Sequence, residues 1–83
     1  GHMTVRVKLF AVARELAGQL EVAVEVGDGA TVADVRRALV ASVPQLQSVV
    51  AHVRWAVNAE FVAADTPVTA ESEVAVIPPV SGG

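Results

Sequence analysis

The sequence predicts an α+β fold: one mixed sheet of four to five strands with one main helix packed across one face. Three observations carry this expectation. Two stretches near the start, 4–10 and 20–26, alternate apolar and polar residues at strand period, with a short run of helix formers between them. Residues 32–43 repeat apolar side chains at helical spacing. The last third returns to short alternating segments punctuated by turn residues. A single sheet covered by a single helix is the simplest way to bury all of these stripes.

In chain order, Val5, Val7 and Leu9 make the apolar row of the first strand, alternating with Arg6, Lys8 and Phe10. Residues 11–17 switch to helix formers, with Val12 and Leu16 four apart on one side. Gly18 supplies the left-handed residue that commonly ends a helix. In the second strand Leu20, Val22, Val24 and Val26 face one way, and Glu21, Ala23 and Glu25 the other. Gly27-Asp28-Gly29 signals a turn. Thr31 is placed to cap the main helix, and Asp34 stands three residues on, near its positive end. Val32, Val35, Leu39 and Val43 form the buried stripe of that helix, Arg36 and Arg37 lie off it, and Pro44 stops it.

Residues 45–52 read as a helical turn or ordered loop around Leu46, Val49 and Val50. A strand over 53–58 puts Val53, Trp55 and Val57 on one face, and Asn58-Ala59-Glu60 turns into a short strand at Phe61-Val62. Asp65-Thr66-Pro67 is another turn. The last strand covers 73–77 with Val74 and Val76 inward, and Pro78-Pro79 ends the sheet because proline donates no ladder hydrogen bond. The first and last strands are expected as parallel neighbours in the middle of the sheet. The whole is one domain over 3–83, with a flexible tail at 78–83. Gly1-His2 reads as the remnant of a cleaved tag and is set apart from the fold.

Composition excludes several function classes. With two Phe, one Trp and no Tyr, the core is built from Val, Leu, Ile and Ala. The absence of cysteine removes disulfides, thiolate nucleophiles and cysteine-ligated zinc, and suits a reducing, cytoplasmic setting. His52 is the only histidine after the tag, and a lone histidine makes no metal cluster. No apolar run approaches the ~18 residues of a membrane span. A net charge of -3 with six scattered Lys and Arg argues against nucleic-acid binding.

Parity along the strands leaves large apolar groups over. Phe10 belongs with Arg6 and Lys8 or just past the strand end, and Ile77 points away from Val74 and Val76. Phe61 sits in a short strand beside a turn. Two readings stand side by side: ordinary exposed apolar residues, with Phe10 able to curl into the core where the strand turns into the helix, or a partner-binding patch where the three cluster on the open face of a small sheet.

The sequence ends Val80-Ser81-Gly82-Gly83 after the two prolines. A proline pair makes a stiff, extended exit, and a Gly-Gly tip without Cβ atoms can thread a narrow channel. The reactive group is then the carboxylate of Gly83. A carboxylate becomes a useful electrophile once adenylated by a partner, and a sulfur donor can then displace AMP to leave a thiocarboxylate. This chemistry needs no catalytic side chain on the carrier, in keeping with the lack of a nucleophile constellation or phosphate loop.

The end Ala75-Val76-Ile77-Pro78-Pro79-Val80-Ser81-Gly82-Gly83 resembles the Pro-Pro-Val-x-Gly-Gly terminus of molybdopterin synthase small subunits. The opening, Val7-Lys8-Leu9-Phe10-Ala11 through Arg14-Glu15-Leu16-Ala17-Gly18, is similar to that family's first strand and helix. Ala56-Val57-Asn58 and residues 65–74 also match in kind, and 41–54 match least. The resemblance implies a ubiquitin-like β-grasp fold and a sulfur-donor role. It implies adenylation of Gly83 by an ATP-using adenylyltransferase of the ubiquitin-activating type, with no cofactor bound by the carrier itself. The resemblance further implies that the tail, Pro78, Pro79, Val80, Ser81, Gly82 and Gly83, inserts into the large subunit of molybdopterin synthase and delivers sulfur to cyclic pyranopterin monophosphate. Phe10, Phe61 and Ile77 match the family's docking patch, and Arg14 matches an arginine near the partner surface. The family often has Leu at position 61 and Phe at position 77, so apolar bulk is kept while its distribution changes.

Two alternatives share the Gly-Gly end. One is a sulfur carrier for thiamine or cysteine synthesis; the other is a ubiquitin-like modifier joined to lysines of target proteins.

Overall fold

The computed structural model describes residues 1–79; Val80, Ser81, Gly82 and Gly83 lie outside the described residues. Strand β1 (His2–Leu9) leads through helix α1 (Ala11–Ala17) to β2 (Glu21–Gly27), and β2 leads to the main helix α2 (Val32–Ser42). A 3-10 turn at Pro44–Leu46 and a single helical turn α3 (Gln47–Val50) follow. The chain then forms β3 (Arg54–Val57), β4 (Glu60–Val62) and β5 (Glu73–Ile77). The five strands make one mixed sheet in the order β2-β1-β5-β3-β4. The β1 and β5 strands are parallel neighbours at its centre, as expected, with Val7 opposite Val74 and Leu9 opposite Val76.

The alternation read from the sequence sets which face is covered. Val5, Val7, Leu9, Val22, Val24, Val26, Val74 and Val76 are all buried, beneath Val32, Val35 and Leu39 of α2. The linker of 43–50 closes one end of this core with Val43, Leu46 and Val50. Among the described residues no helix is long and apolar enough to cross a membrane.

Two sequence expectations are corrected, at His2 and at Leu20. Residue His2 is not outside the fold: it pairs with Gly27, and the Gly1 carbonyl accepts a hydrogen bond from the Asp28 N–H at 3.1 Å. An extended backbone beside a free strand edge continues the ladder whatever its origin. The side of α1 that carries Val12 and Leu16 is exposed, and Ala13 faces the core. Leu20 precedes β2 rather than joining its inward row, and is 66% exposed.

The start of α2 is tied down from both sides. The Thr31 N–H donates to the Asp34 carboxylate at 2.9 Å, and the Thr31 hydroxyl donates to the same oxygen at 3.2 Å. The N–H groups of Val32 and Ala33, which lack partners within the helix, donate to the carbonyls of Thr66 and Ala64 at 2.9 Å each. The helix is thus stitched to the loop before β5. The Thr31 N–H first, and then the Arg37 guanidinium, hold the Asp34 carboxyl below the usual carboxylate range. A depressed folded-state value adds stability above the pH where an unfolded aspartate titrates, roughly pH 4, and that stability is lost as pH falls through the folded value. Asp34→Ala is therefore expected to lower the melting temperature by a few degrees at neutral pH. Thermal melts followed by circular dichroism should show this deficit shrinking well below pH ~4.

Candidate functional site

The face of the sheet turned away from α2 divides into two halves. Its β2–β1 half is charged. Thr4 donates to Glu25 at 2.7 Å, Arg6 pairs with Glu21 at 3.6 Å, and Lys8 pairs with Glu73 at 2.7 Å. Its β5–β3–β4 half is apolar. There Phe10, Phe61 and Ile77 come together around a depression of about 240 Å³, floored by Ala56, Ala59 and Ala75 and bordered by Lys8 and Glu73.

Local backbone geometry sets out each of the three. Strand β1 ends at Leu9, and Ala11 takes a positive φ of 52°, uncommon for a residue with a Cβ. Phe10 stands between them in extended geometry as the residue before α1, 44% exposed rather than folded into the core. Phe61 is placed by the β3–β4 hairpin. Its two loop residues, Asn58 and Ala59, have φ of 52° and 70°, the left-handed pair of a type I′ turn, where asparagine is favoured. Asn58 also fastens this hairpin to β5. It donates its N–H to the Glu73 carbonyl at 2.9 Å, and its Oδ1 accepts the Glu73 N–H at 3.0 Å. Register then places Ala56 opposite both Phe61 and Ala75, so small side chains lie between the large ones. Ile77 is half-buried beside them, opposite Arg54.

Phe61 is 53% exposed, and the Arg54 guanidinium lies over its ring at 3.7 Å from the centroid. Arg14 is exposed on α1, where it lines a shallow groove with Phe10 and Leu20 on the flank of the apolar half. It makes no ion pair among the described residues. The Lys8–Glu73 contact, by hydrogen bond first and charge second, raises the Lys8 amine and lowers the Glu73 carboxyl from their ordinary values. At the Phe10 end of the sheet, where Leu9 lies opposite Val76, β5 finishes at Ile77; Pro78 is buried and Pro79 is exposed. The last described residues thus follow directly on Ile77, which lines the apolar depression.

The sequence profile of the ThiS family matches residues 7–83, from β1 through the final glycine. The chain belongs to the ThiS family. A molybdopterin synthase sulfur carrier subunit from Chlamydomonas reinhardtii is 40% identical over 83 residues, 98% of this chain and 100% of the relative. Small archaeal modifier protein 1 from Haloferax volcanii is 40% identical over 84 residues, 92% of this chain and 97% of the relative. Its crystal structure has a TM-score of 0.89 at 39% identity, covering 96% of this chain and 99% of that one. A chain from the complex of subunits 1 and 2 of molybdopterin-converting factor from Helicobacter pylori has a TM-score of 0.68 at 18% identity, covering 98% and 100%, a likeness of fold alone. The five-stranded mixed sheet with α2 across it is the ubiquitin-like β-grasp fold of these proteins.

For this ThiS-family chain, strand parity singled out Phe10 and Ile77, a short strand beside a turn singled out Phe61, and the fold brings all three together. It did not find Arg54 over Phe61, the Asn58 tie to Glu73 or the alanine floor. Arg54 lies on the same outward row as Ala56, a signal present in the sequence. Its meeting with Phe61 depends on the β3–β4 register.

Proposed function

We propose that this chain is a sulfur carrier in molybdopterin synthesis whose working group is the Gly83 carboxylate. One observation carries the reading: the likeness to a molybdopterin synthase sulfur carrier subunit runs the full length of that relative, and the family match continues to Gly83. The apolar depression beside the exit of the chain supports it, because a docking surface there would present the tail directly to a partner.

In this reading a ubiquitin-activating-type adenylyltransferase uses ATP to form an acyl-adenylate at Gly83, with loss of pyrophosphate. A sulfur donor then attacks the carbonyl carbon, the bond to AMP breaks, and a thiocarboxylate remains. The large subunit of molybdopterin synthase accepts the tail, Val80 to Gly83, and the sulfur passes to cyclic pyranopterin monophosphate. The role of this chain is presentation. Phe10, Phe61 and Ile77 dock, Arg14 adds a cation at the flank, and Pro78-Pro79 directs the exit. No side chain of the carrier takes part in bond making. The small, charge-bearing domain works in the cytoplasm, free of membrane and nucleic acid.

The test is a mass measurement. Intact protein incubated with the activating enzyme, ATP and a sulfur donor is expected to gain the mass difference between sulfur and oxygen at Gly83, and that form alone should convert the pyranopterin precursor when mixed with the large subunit. A terminus that is never adenylated sinks the reading.

The likeness to small archaeal modifier protein 1 favours a second reading, attachment of the same activated carboxylate to lysines of target proteins. Isopeptide-linked adducts in place of a thiocarboxylate would select it. A thiocarboxylate taken up only by an acceptor of thiamine or cysteine synthesis would move the carrier to that pathway.

A further inference from the structure

Five of the six cationic side chains on this protein are arginines, and Lys8 is the only lysine. A guanidinium stays protonated at any pH the fold experiences and is a poor nucleophile. Lys8 Nζ is therefore the single side-chain amine that an activated carboxylate can acylate. It sits half-exposed, at 47%, in the middle of the open face, on the rim of the depression that holds Phe10, Phe61 and Ile77. Its Nζ is 2.7 Å from Glu73 Oε1. Glu73 is itself fixed at the backbone by Asn58, which makes hydrogen bonds to both its N–H and its carbonyl.

We infer that Lys8 is a guarded acylation site: it is the one position where the activated C-terminal carboxylate of a second copy can couple to this chain through a side chain, and Glu73 slows that coupling. The step is an aminolysis. The neutral Lys8 amine attacks the carbonyl carbon of the acyl-adenylate, the C–N bond of an isopeptide forms, the bond to AMP breaks, and the amine proton passes to water. The proposal rests on the carrier reading for its donor only. Its consequence follows from position. A copy joined at Lys8 stands on the docking face, so each coupling consumes one tail and blocks one docking surface. The carboxylate of Glu73 keeps the amine protonated and hydrogen-bonded, and the raised affinity of Lys8 for its proton has this contact as its first cause.

The guard is tested without any activating enzyme. The full chain is treated with the succinimidyl ester of N-protected glycylglycine, a mimic of the activated tail, with free Nα-acetyl-lysine amide in the same tube as the rate standard. Adducts are mapped by peptide mass spectrometry. Lys8 is expected to react more slowly than the standard, and Glu73→Gln to raise its rate about 2- to 5-fold, the span of an exposed ion pair. Lys8→Arg should leave no side-chain adduct. Circular dichroism of each variant confirms the fold. An equal Lys8 rate in wild type and Glu73→Gln, or no Lys8 adduct in Glu73→Gln, overturns the proposal. Because the ester needs no partner, failure of the guard and failure of the carrier reading are separate results.

Discussion

Deletion of Gly82-Gly83 is expected to abolish sulfur transfer while moving the melting temperature by less than about 2 °C. The two halves of this result come from different parts of the chain. Among the described residues the buried apolar core begins at Val5 and ends at Val76, and the last strand finishes at Ile77, five residues before the deleted pair; the ends of a chain beyond its last strand ordinarily add little to stability. Activity is lost because the carbonyl that carries sulfur is gone. Gly83→Ala keeps a carboxylate and adds one methyl group, so it should fall between wild type and deletion in the rate of precursor conversion. Melting curves together with a coupled assay of molybdopterin formation decide the matter. A truncated chain that still supports product formation would falsify the carrier assignment.

The second large effect is on stability. Leu39→Ala should destabilise the fold by about 2–5 kcal/mol, because Leu39 is fully buried in α2 against the sheet and a close-packed core relaxes little around the space left. A small domain has only about 5–15 kcal/mol in hand, so the melting temperature should drop on the order of 10–30 °C. Phe61→Ala is the instructive contrast. Its ring is about half exposed and packs beside Arg54 at the rim of the depression, not in the core. Its truncation should cost little stability and weaken binding to the large subunit by about 1–3 kcal/mol. Calorimetric titration beside thermal melts separates the two. Unchanged affinity with a large loss of stability for Phe61→Ala would mean that the ring serves the core and that the open face is not the docking surface.

Much of this fold is set by short-range rules, and those parts were legible. The 3.6 period of Val32, Val35 and Leu39 has one solution for α2, and Thr31 with Asp34 marks its start. The period of two in β1, β2 and β5 decides which residues face α2, since a shift by one would turn every side chain over. The same counting left Phe10 and Ile77 off the inward rows, and with Phe61 of the short strand they gather on the open face. Gly18 has φ of 69° and ends α1 with its N–H on the Arg14 carbonyl, as its position after the helix formers predicts.

What the sequence by itself determined, then, is the set of elements, their inward rows, the apolar surplus and the Gly-Gly end. Tertiary structure alone decided which residues meet. Val12 and Leu16 have helical spacing, yet the side that α1 turns to the core carries Ala13, with Ala17 partly buried beside it. Leu20 continues an alternating pattern, yet the strand begins after it. Lys8 and Glu73 are 65 residues apart and become partners only because β1 and β5 run parallel in one register. Asn58 reads locally as a turn residue, and only the order of strands reveals that it also ties the β3–β4 hairpin to β5. Periodicity reports the environment of a side chain along its own element, whereas pairing across elements depends on strand order, direction and packing distance, which no local pattern encodes.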